Sequence, residues 1–230
     1  MVTIKAYHLP PTPLIPNSPY PLLHYQSVLP LTSATPSSSS SPSTSSSKPE
    51  YYVPPTLAHD LLTSNKWQIQ WIFRYGPTQD AHYHSQAHEC MAVLSGHATI
   101  RFGVSDADRD APGIELEANA GDVFVLPAGT AHKTFDTLPR AEFKLLTPGE
   151  GHGIQAQDRR GALEGVQLDG FTMLGAYPEG SKWDFAVGGE DVGQYERVWN
   201  VARPERDPVF GGEERGLCTR WKAQGHEAKL

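Results

Sequence analysis

Apolar and polar residues alternate with a period of two through much of the middle of the chain. From Lys66 to Arg74, Trp67, Ile69, Trp71 and Phe73 fall on one side and Gln68, Gln70 and Ile72 on the other. That is the pattern of a half-buried strand. Shorter runs of strand-forming residues follow at Tyr83–Ser85, Glu89–Leu94, Ala98–Phe102, Ile114–Glu117, Val123–Leu126, His132–Thr134, Glu142–Leu146 and Phe171–Leu174. Glycine, proline and acidic turn residues separate them. Many short strands at such spacing predict an all-β chain, a jelly-roll barrel (double-stranded β-helix) with a few short helices. One helix is expected over Pro54 to Asn65, with Thr56 as N-cap and Leu57, Leu61 and Leu62 on one face. Another is expected over residues 190–202, with Val192, Tyr195, Val198 and Trp199 inward and Pro204 as its stop.

The pattern divides the chain into parts. Residues 1–31 form a proline-rich arm, extended rather than helical, with Leu14, Ile15, Leu22 and Leu23 available to pack on the barrel exterior or on a dimer partner. Residues 32–49 are serine, threonine and proline with almost nothing to bury, and read as a disordered loop. Residues 50–230 read as a single domain, interrupted near 147–168 by a glycine-rich, aperiodic insertion of the kind that serves as a lid or stays disordered.

Candidate chemistry gathers in two stretches. In the first, Gly76 is followed after five residues by His82-Tyr83-His84, after four more by Glu89, and after six more by Gly96. In the second, Gly121 is followed after five residues by Pro127-Ala128-Gly129 and, two residues on, by His132. His82 and His84 point to one face of an extended segment. Glu89 shares a face with Met91 and Val93, and the Pro-Ala-Gly turn delivers His132 to the next strand. Three imidazoles and one carboxylate from three strands can meet at one point. With no thiolate among them, they suit Fe(II), Mn(II), Ni(II), Co(II) or Zn(II). Tyr83, His88 and Cys90 alternate away from that point, and His88 reads as a surface or dimer-contact residue. Tyr177 reads first as a packed core aromatic, with the pocket as its alternative. Gln70, Arg74, Arg101, Lys133 and Thr134 are polar positions on barrel strands to which no role attaches.

Both stretches resemble the two motifs of the cupin superfamily (RmlC-like jelly rolls). The first matches at every defining position, and the second departs only at Asp136, a position often held by Asn. The chain is more closely similar to the YjlB-type single-domain cupins. The resemblance includes Pro13-Leu14-Ile15-Pro16-Asn17-Ser18, Gly175-Ala176-Tyr177-Pro178 with Trp183-Asp184, and Asp207-Pro208-Val209-Phe210-Gly211 with Trp221. It implies a jelly roll and a metal carried by His82, His84, Glu89 and His132. It does not imply one reaction.

Composition narrows the partners. The formal charge is −7 and no basic run occurs, which argues against nucleic acid. No apolar stretch approaches membrane-spanning length, and no signal peptide is expected. Cys90 and Cys218 are too few for a disulfide framework and fit a reducing compartment. The final Ala228-Lys229-Leu230 is a variant of a peroxisomal address, with the cytoplasm as its alternative. The expected partners are a small-molecule substrate and a second copy of the chain in a homodimer. Three functions fit: a metal-dependent enzyme, first of all an Fe(II)-type dioxygenase; a non-redox metal-dependent isomerase, epimerase or decarboxylase; and a non-catalytic ligand-binding cupin.

Overall fold

Strands with inward-facing apolar residues on alternate positions pair into two antiparallel sheets. The computed structural model describes residues 2–33, 50–108 and 113–222. Within them run β1 (Thr3–Tyr7), β2 (Leu22–Gln26), β3 (Thr32–Ser33), β4 (Tyr51–Tyr52), α1 (Pro55–Ser64), β5 (Trp67–Arg74), β6 (Glu89–Ser95) and β7 (His97–Phe102). They continue as β8 (Ile114–Asn119), β9 (Val123–Leu126), β10 (His132–Leu138), β11 (Lys144–Leu145), α2 (Arg159–Glu164), β12 (Thr172–Pro178), α3 (Tyr195–Trp199) and α4 (Leu217–Arg220). The large sheet has the order β1-β2-β9-β6-β12-β5-β11, with β3 and β4 attached beside β6. The small sheet has the order β10-β7-β8. The fold is the expected all-β jelly roll.

Both faces of the central strands β2, β9, β6 and β12 are buried, and alternation sorts their side chains into two cores. Met91, Val93, Phe124, Leu126 and Met173 face the small sheet, where Ala98, Ile100 and Phe102 meet them in the barrel interior. Cys90, Ala92, Leu94, Val123, Val125 and Leu174 face outward, where Leu62 of α1, Leu163 of α2, Leu217 of α4 and Trp221 cover them. Each such leucine, valine or phenylalanine contributes about 1.5–3 kcal/mol relative to exposure.

The proline-rich arm belongs to this barrel. β1 pairs with β2, and β2 pairs with β9 with Leu23 opposite Val125. Ile15, Leu22 and Leu23 are fully buried within the chain itself. The serine tract, apart from Thr32–Ser33, lies outside the described residues, as does Ala228-Lys229-Leu230.

Four local expectations need correction. In β5 the alternation breaks: Trp67, Ile69 and Ile72 join the outer core, whereas Trp71 and Phe73 turn to the interior. The cause is a bulge, because Trp71 pairs with Gly175 and Ile69 with Ala176, which leaves Gln70 as the extra residue. Gly175 makes room for this turn, since a Cβ there would sit 2.1 Å from Trp71 Cζ2. In α1 the N-cap is Pro54, with Pro55 opening the helix, and Thr56 caps nothing; proline's fixed φ suits that first position. The 147–168 insertion contains α2, whose N-cap Asp158 accepts a hydrogen bond from the Gly161 amide. The expected helix over 190–202 shrinks to α3, and Val192 is 55% exposed; Gly193, at φ +81°, interrupts the turn before it.

Candidate metal centre

Three elements deliver the four expected residues to one end of the barrel interior. His82 and His84 lie on an extended segment held by paired backbone bonds, His82 to His132 and Tyr83 to Ala186. This is bridge pairing rather than the full strand expected at Tyr83–Ser85. Glu89 opens β6 and His132 opens β10. One ligand atom from each of His82, His84 and His132 lies within 4.8 Å of the others. Glu89 Oε2 lies 3.4 Å from His84 Nε2 and 3.5 Å from His132 Nε2.

The imidazoles are oriented from behind. His84 Nδ1 faces the Asp184 carbonyl, His82 Nδ1 the Asp80 carbonyl at 3.3 Å, and His132 Nδ1 the Thr130 carbonyl at 3.4 Å. A proton on each Nδ1 is the tautomer that donates to these carbonyls, and it leaves the Nε2 lone pairs free. Asp184 also fixes the turn after His84. Its carboxylate accepts from the Ser85 amide at 2.7 Å and the Ser85 hydroxyl at 2.6 Å. Burial opposes ionisation of Asp184, but these bonds and those from Gln86 outweigh it and lower its pKa.

Glu89 is the electrostatic centre. Burial would keep its proton on, yet the nearby His84 charge, then the His132 charge and the Tyr177 hydrogen bond, bring its pKa down to about 2. Burial lowers the pKa of His82, helped by His132 and His84. Burial likewise lowers that of His132, against the pull of Glu89. At His84 burial is overcome by Glu89, and the pKa rises. The cluster thus gathers an ionised carboxylate with two imidazoles, His82 and His132, that give up protons readily and a third, His84, that Glu89 favours in its protonated form. Glu89 Oε2 is buried and has no hydrogen-bond partner. An ionised oxygen without a hydrogen-bond donor calls for a nearby positive charge, and a divalent ion held by His82, His84 and His132 would supply one. The donor set therefore fits a divalent metal.

Tyr177, on β12, belongs to this cluster. Its hydroxyl donates to Glu89 Oε1 at 2.5 Å and lies 3.1 Å from His84 Nε2. Burial, with the Glu89 charge, raises its pKa and keeps the phenol protonated. Alternation along β12 carried the signal, since Met173, Gly175 and Tyr177 share the interior face. The other candidates lie elsewhere. Tyr83 points away from the cluster, as expected, but is fully buried and donates to Asp191 at 2.8 Å. His88 also points away, yet it is buried rather than on the surface. Its Nδ1 accepts from the Ala128 amide at 3.0 Å, its ring meets Trp221, and burial lowers its pKa to about 4. Arg101 and Lys133 both pair with Asp106, which also accepts from the Ala81 amide beside His82. Arg74 pairs with Asp169.

A cavity of about 270 Å³ opens from His82 and His84 to solvent. Trp71, Phe73, Tyr75, Phe143, Trp183 and Phe185 line its walls, with Tyr177 deep inside. Phe185 stacks on His82 with centroids 4.2 Å apart, and Trp183 stacks on Tyr177 at 5.3 Å. The volume lies just below the usual range for ligand pockets, roughly 300–1,000 Å³.

Residues 78–147, which contain all four clustered residues, match the family model described as Cupin. The chain is also 26% identical over 213 residues to the uncharacterized protein YjlB of Bacillus subtilis (strain 168), a match spanning 91% of this chain and 92% of the relative. Residues 78–147 thus carry a cupin match, and most of the chain is similar to YjlB. Among solved structures, the chain resembles an oxalate decarboxylase of Lactobacillus farciminis with 13% identity and a TM-score of 0.30, over 53% of this chain and 30% of that one. It resembles a TDP-quinovose 3,4-ketoisomerase of Campylobacter jejuni with 11% identity and a TM-score of 0.31, over 57% of this chain and 73% of that one. Likenesses this partial carry no inference about the reaction.

Proposed function

We propose that this chain is a metal-dependent cupin enzyme acting on a small organic substrate, with one divalent metal held by His82, His84, Glu89 and His132. The observation that carries the reading is the unpartnered, fully buried Glu89 Oε2 among three imidazoles. A divalent metal would supply Lewis acidity there, and Fe(II) would add the capacity to activate O₂. Tyr177 holds Glu89 in place and retains a proton beside the cluster. The aromatic walls exclude water and orient a flat molecule against His82 and His84. Fe(II)-type dioxygenation of a phenolic or enolisable compound is the first reading. The protonated Tyr177 favours, as the second, a non-redox isomerase, epimerase or decarboxylase in which a phenol serves as proton donor. Import into peroxisomes through Ala228-Lys229-Leu230 is part of the proposal. Among the described residues no helix is long and apolar enough to cross a membrane.

The test loads the metal-stripped chain with Fe(II), Mn(II), Ni(II), Co(II) or Zn(II) and assays a panel of catechols, enols and 1,3-dicarbonyl compounds in air and under argon. Turnover with Fe(II) that stops under argon supports dioxygenation. Turnover that persists under argon with a redox-inert metal supports the second reading. Absence of bound metal under all loadings refutes both.

A further inference from the structure

The mouth of the cavity joins aromatic rings to acidic side chains. Phe143 and Phe185 stand at the rim, 57% and 60% exposed. Each has one face covered by a ring of the fold, Phe143 by Phe73 at 4.9 Å and Phe185 by His82 at 4.2 Å. Asp80 and Glu150 belong to the same lining, and both are exposed. Neither enters an ion pair among the described residues. Among the described residues no lysine or arginine lines the cavity, and the whole chain carries −7. Ring faces attract a cation through their quadrupole, and carboxylates at the rim add to that attraction. An anionic ligand would meet the opposite field. At the inner end, by contrast, the imidazoles and the cation that Glu89 requires favour an oxygen donor.

We infer that the cavity selects a small organic cation, an ammonium or quaternary ammonium compound whose oxygen-bearing end faces His82 and His84. The inference rests on the proposed reading of this cavity as the substrate site, and it adds the charge class of the substrate. The cationic group sits among Phe143, Phe185, Asp80 and Glu150, and the oxygen reaches inward past Tyr177 and Trp183. Simple dicarboxylates and phosphorylated sugars fall outside this class.

The probes are choline, its neutral isostere in which carbon replaces nitrogen (a dimethylbutanol), and oxalate. Each is titrated by calorimetry into the full metal-stripped chain and again after Zn(II) loading. Choline is expected to bind about tenfold more tightly than the isostere, with oxalate weakest before Zn(II) is added. The double variant D80N/E150Q alters two exposed side chains, so folding is preserved. It should cut the choline preference to about threefold while leaving the isostere unchanged. Equal binding of choline and its isostere overturns the inference. So does tighter binding of oxalate to the metal-stripped chain, or no binding of any probe at millimolar concentration. Metal content is measured on the same preparation. A choline preference in a chain that takes up no divalent ion upholds this inference while refuting the metal-dependent reading, so the two can fail separately.

Discussion

Replacing Tyr177 with Phe removes one oxygen from a fully buried cluster and leaves its packing almost unchanged. The hydroxyl donates to Glu89 Oε1 at 2.5 Å, and Glu89 Oε2 has no hydrogen-bond partner. In Y177F both oxygens of a buried carboxylate are left without a hydrogen-bond donor. A hydrogen bond to a charged group contributes about 1.5–3 kcal/mol. That is a large fraction of a typical folding free energy of about 5–15 kcal/mol. In a chain of this size each kcal/mol shifts Tm by about 2–4 °C, so the metal-stripped variant should melt about 3–12 °C below wild type. A divalent ion bound at Glu89 loses the group that orients its carboxylate, and affinity should fall about 10–100-fold. The metal-free site should also hold its Glu89 proton to higher pH, so that metal release on acidification begins earlier. The assay pairs thermal melting with Zn(II) competition against a chromogenic chelator, from neutral pH downward. If Y177F melts lower but binds Zn(II) within about threefold of wild type, with an unchanged release profile, Tyr177 only packs and its positioning role is wrong.

Further expectations concern parts of the chain away from the cluster. Burial holds His88 neutral down to about pH 4, whereas an unfolded histidine protonates near 6.5. Its contribution is therefore complete above about pH 6.5 and lost as pH falls toward 4, by about 3 kcal/mol. H88N, which can still accept from the Ala128 amide, should flatten urea stability between pH 7 and 5; an unaltered pH dependence contradicts the burial argument. Deleting residues 1–30 removes β1 and β2 and uncovers β9, so light scattering should show aggregation rather than a folded shorter chain. The same measurement on wild type tests the proposed homodimer, which a monomer at high micromolar concentration would exclude. A fluorescent protein carrying the last dozen residues should become punctate in a eukaryotic cell, and diffuse signal would remove the peroxisomal proposal.

Much of this arrangement is legible in sequence because the physics is local. Period-two alternation in β6 and β9 places Glu89, Met91, Phe124 and Leu126 on the interior face. The spacing of His82, His84 and His132 allows the convergence that the structure shows. What the sequence hid depends on partners distant along the chain. The outward face of His88 carries no mark that Trp221 covers it. The β5 bulge arises from pairing with Gly175, about a hundred residues away, and the β5 pattern alone gives no hint that Trp71 and Phe73 change sides. Tyr177 lies beyond the strand expected at Phe171–Leu174, and its bond to Glu89 needed both the longer β12 and the register between β12 and β6. The arm read correctly as extended, while its place beside β9 is a tertiary choice that proline content does not encode.

Elemental analysis of the purified full-length chain and four variants tests the metal centre most directly. One divalent transition metal per chain is expected in wild type and in H88N, whose altered ring lies on the opposite side of the large sheet from Glu89. H84A and H132A each remove one of four donors and should lose the metal by orders of magnitude in affinity. E89Q should lose it too, because the buried charge that calls for a cation is gone. Retention of stoichiometric metal in H84A, H132A and E89Q, or its loss in H88N alone, would show that the ion sits elsewhere and that the cluster is a hydrogen-bonded core.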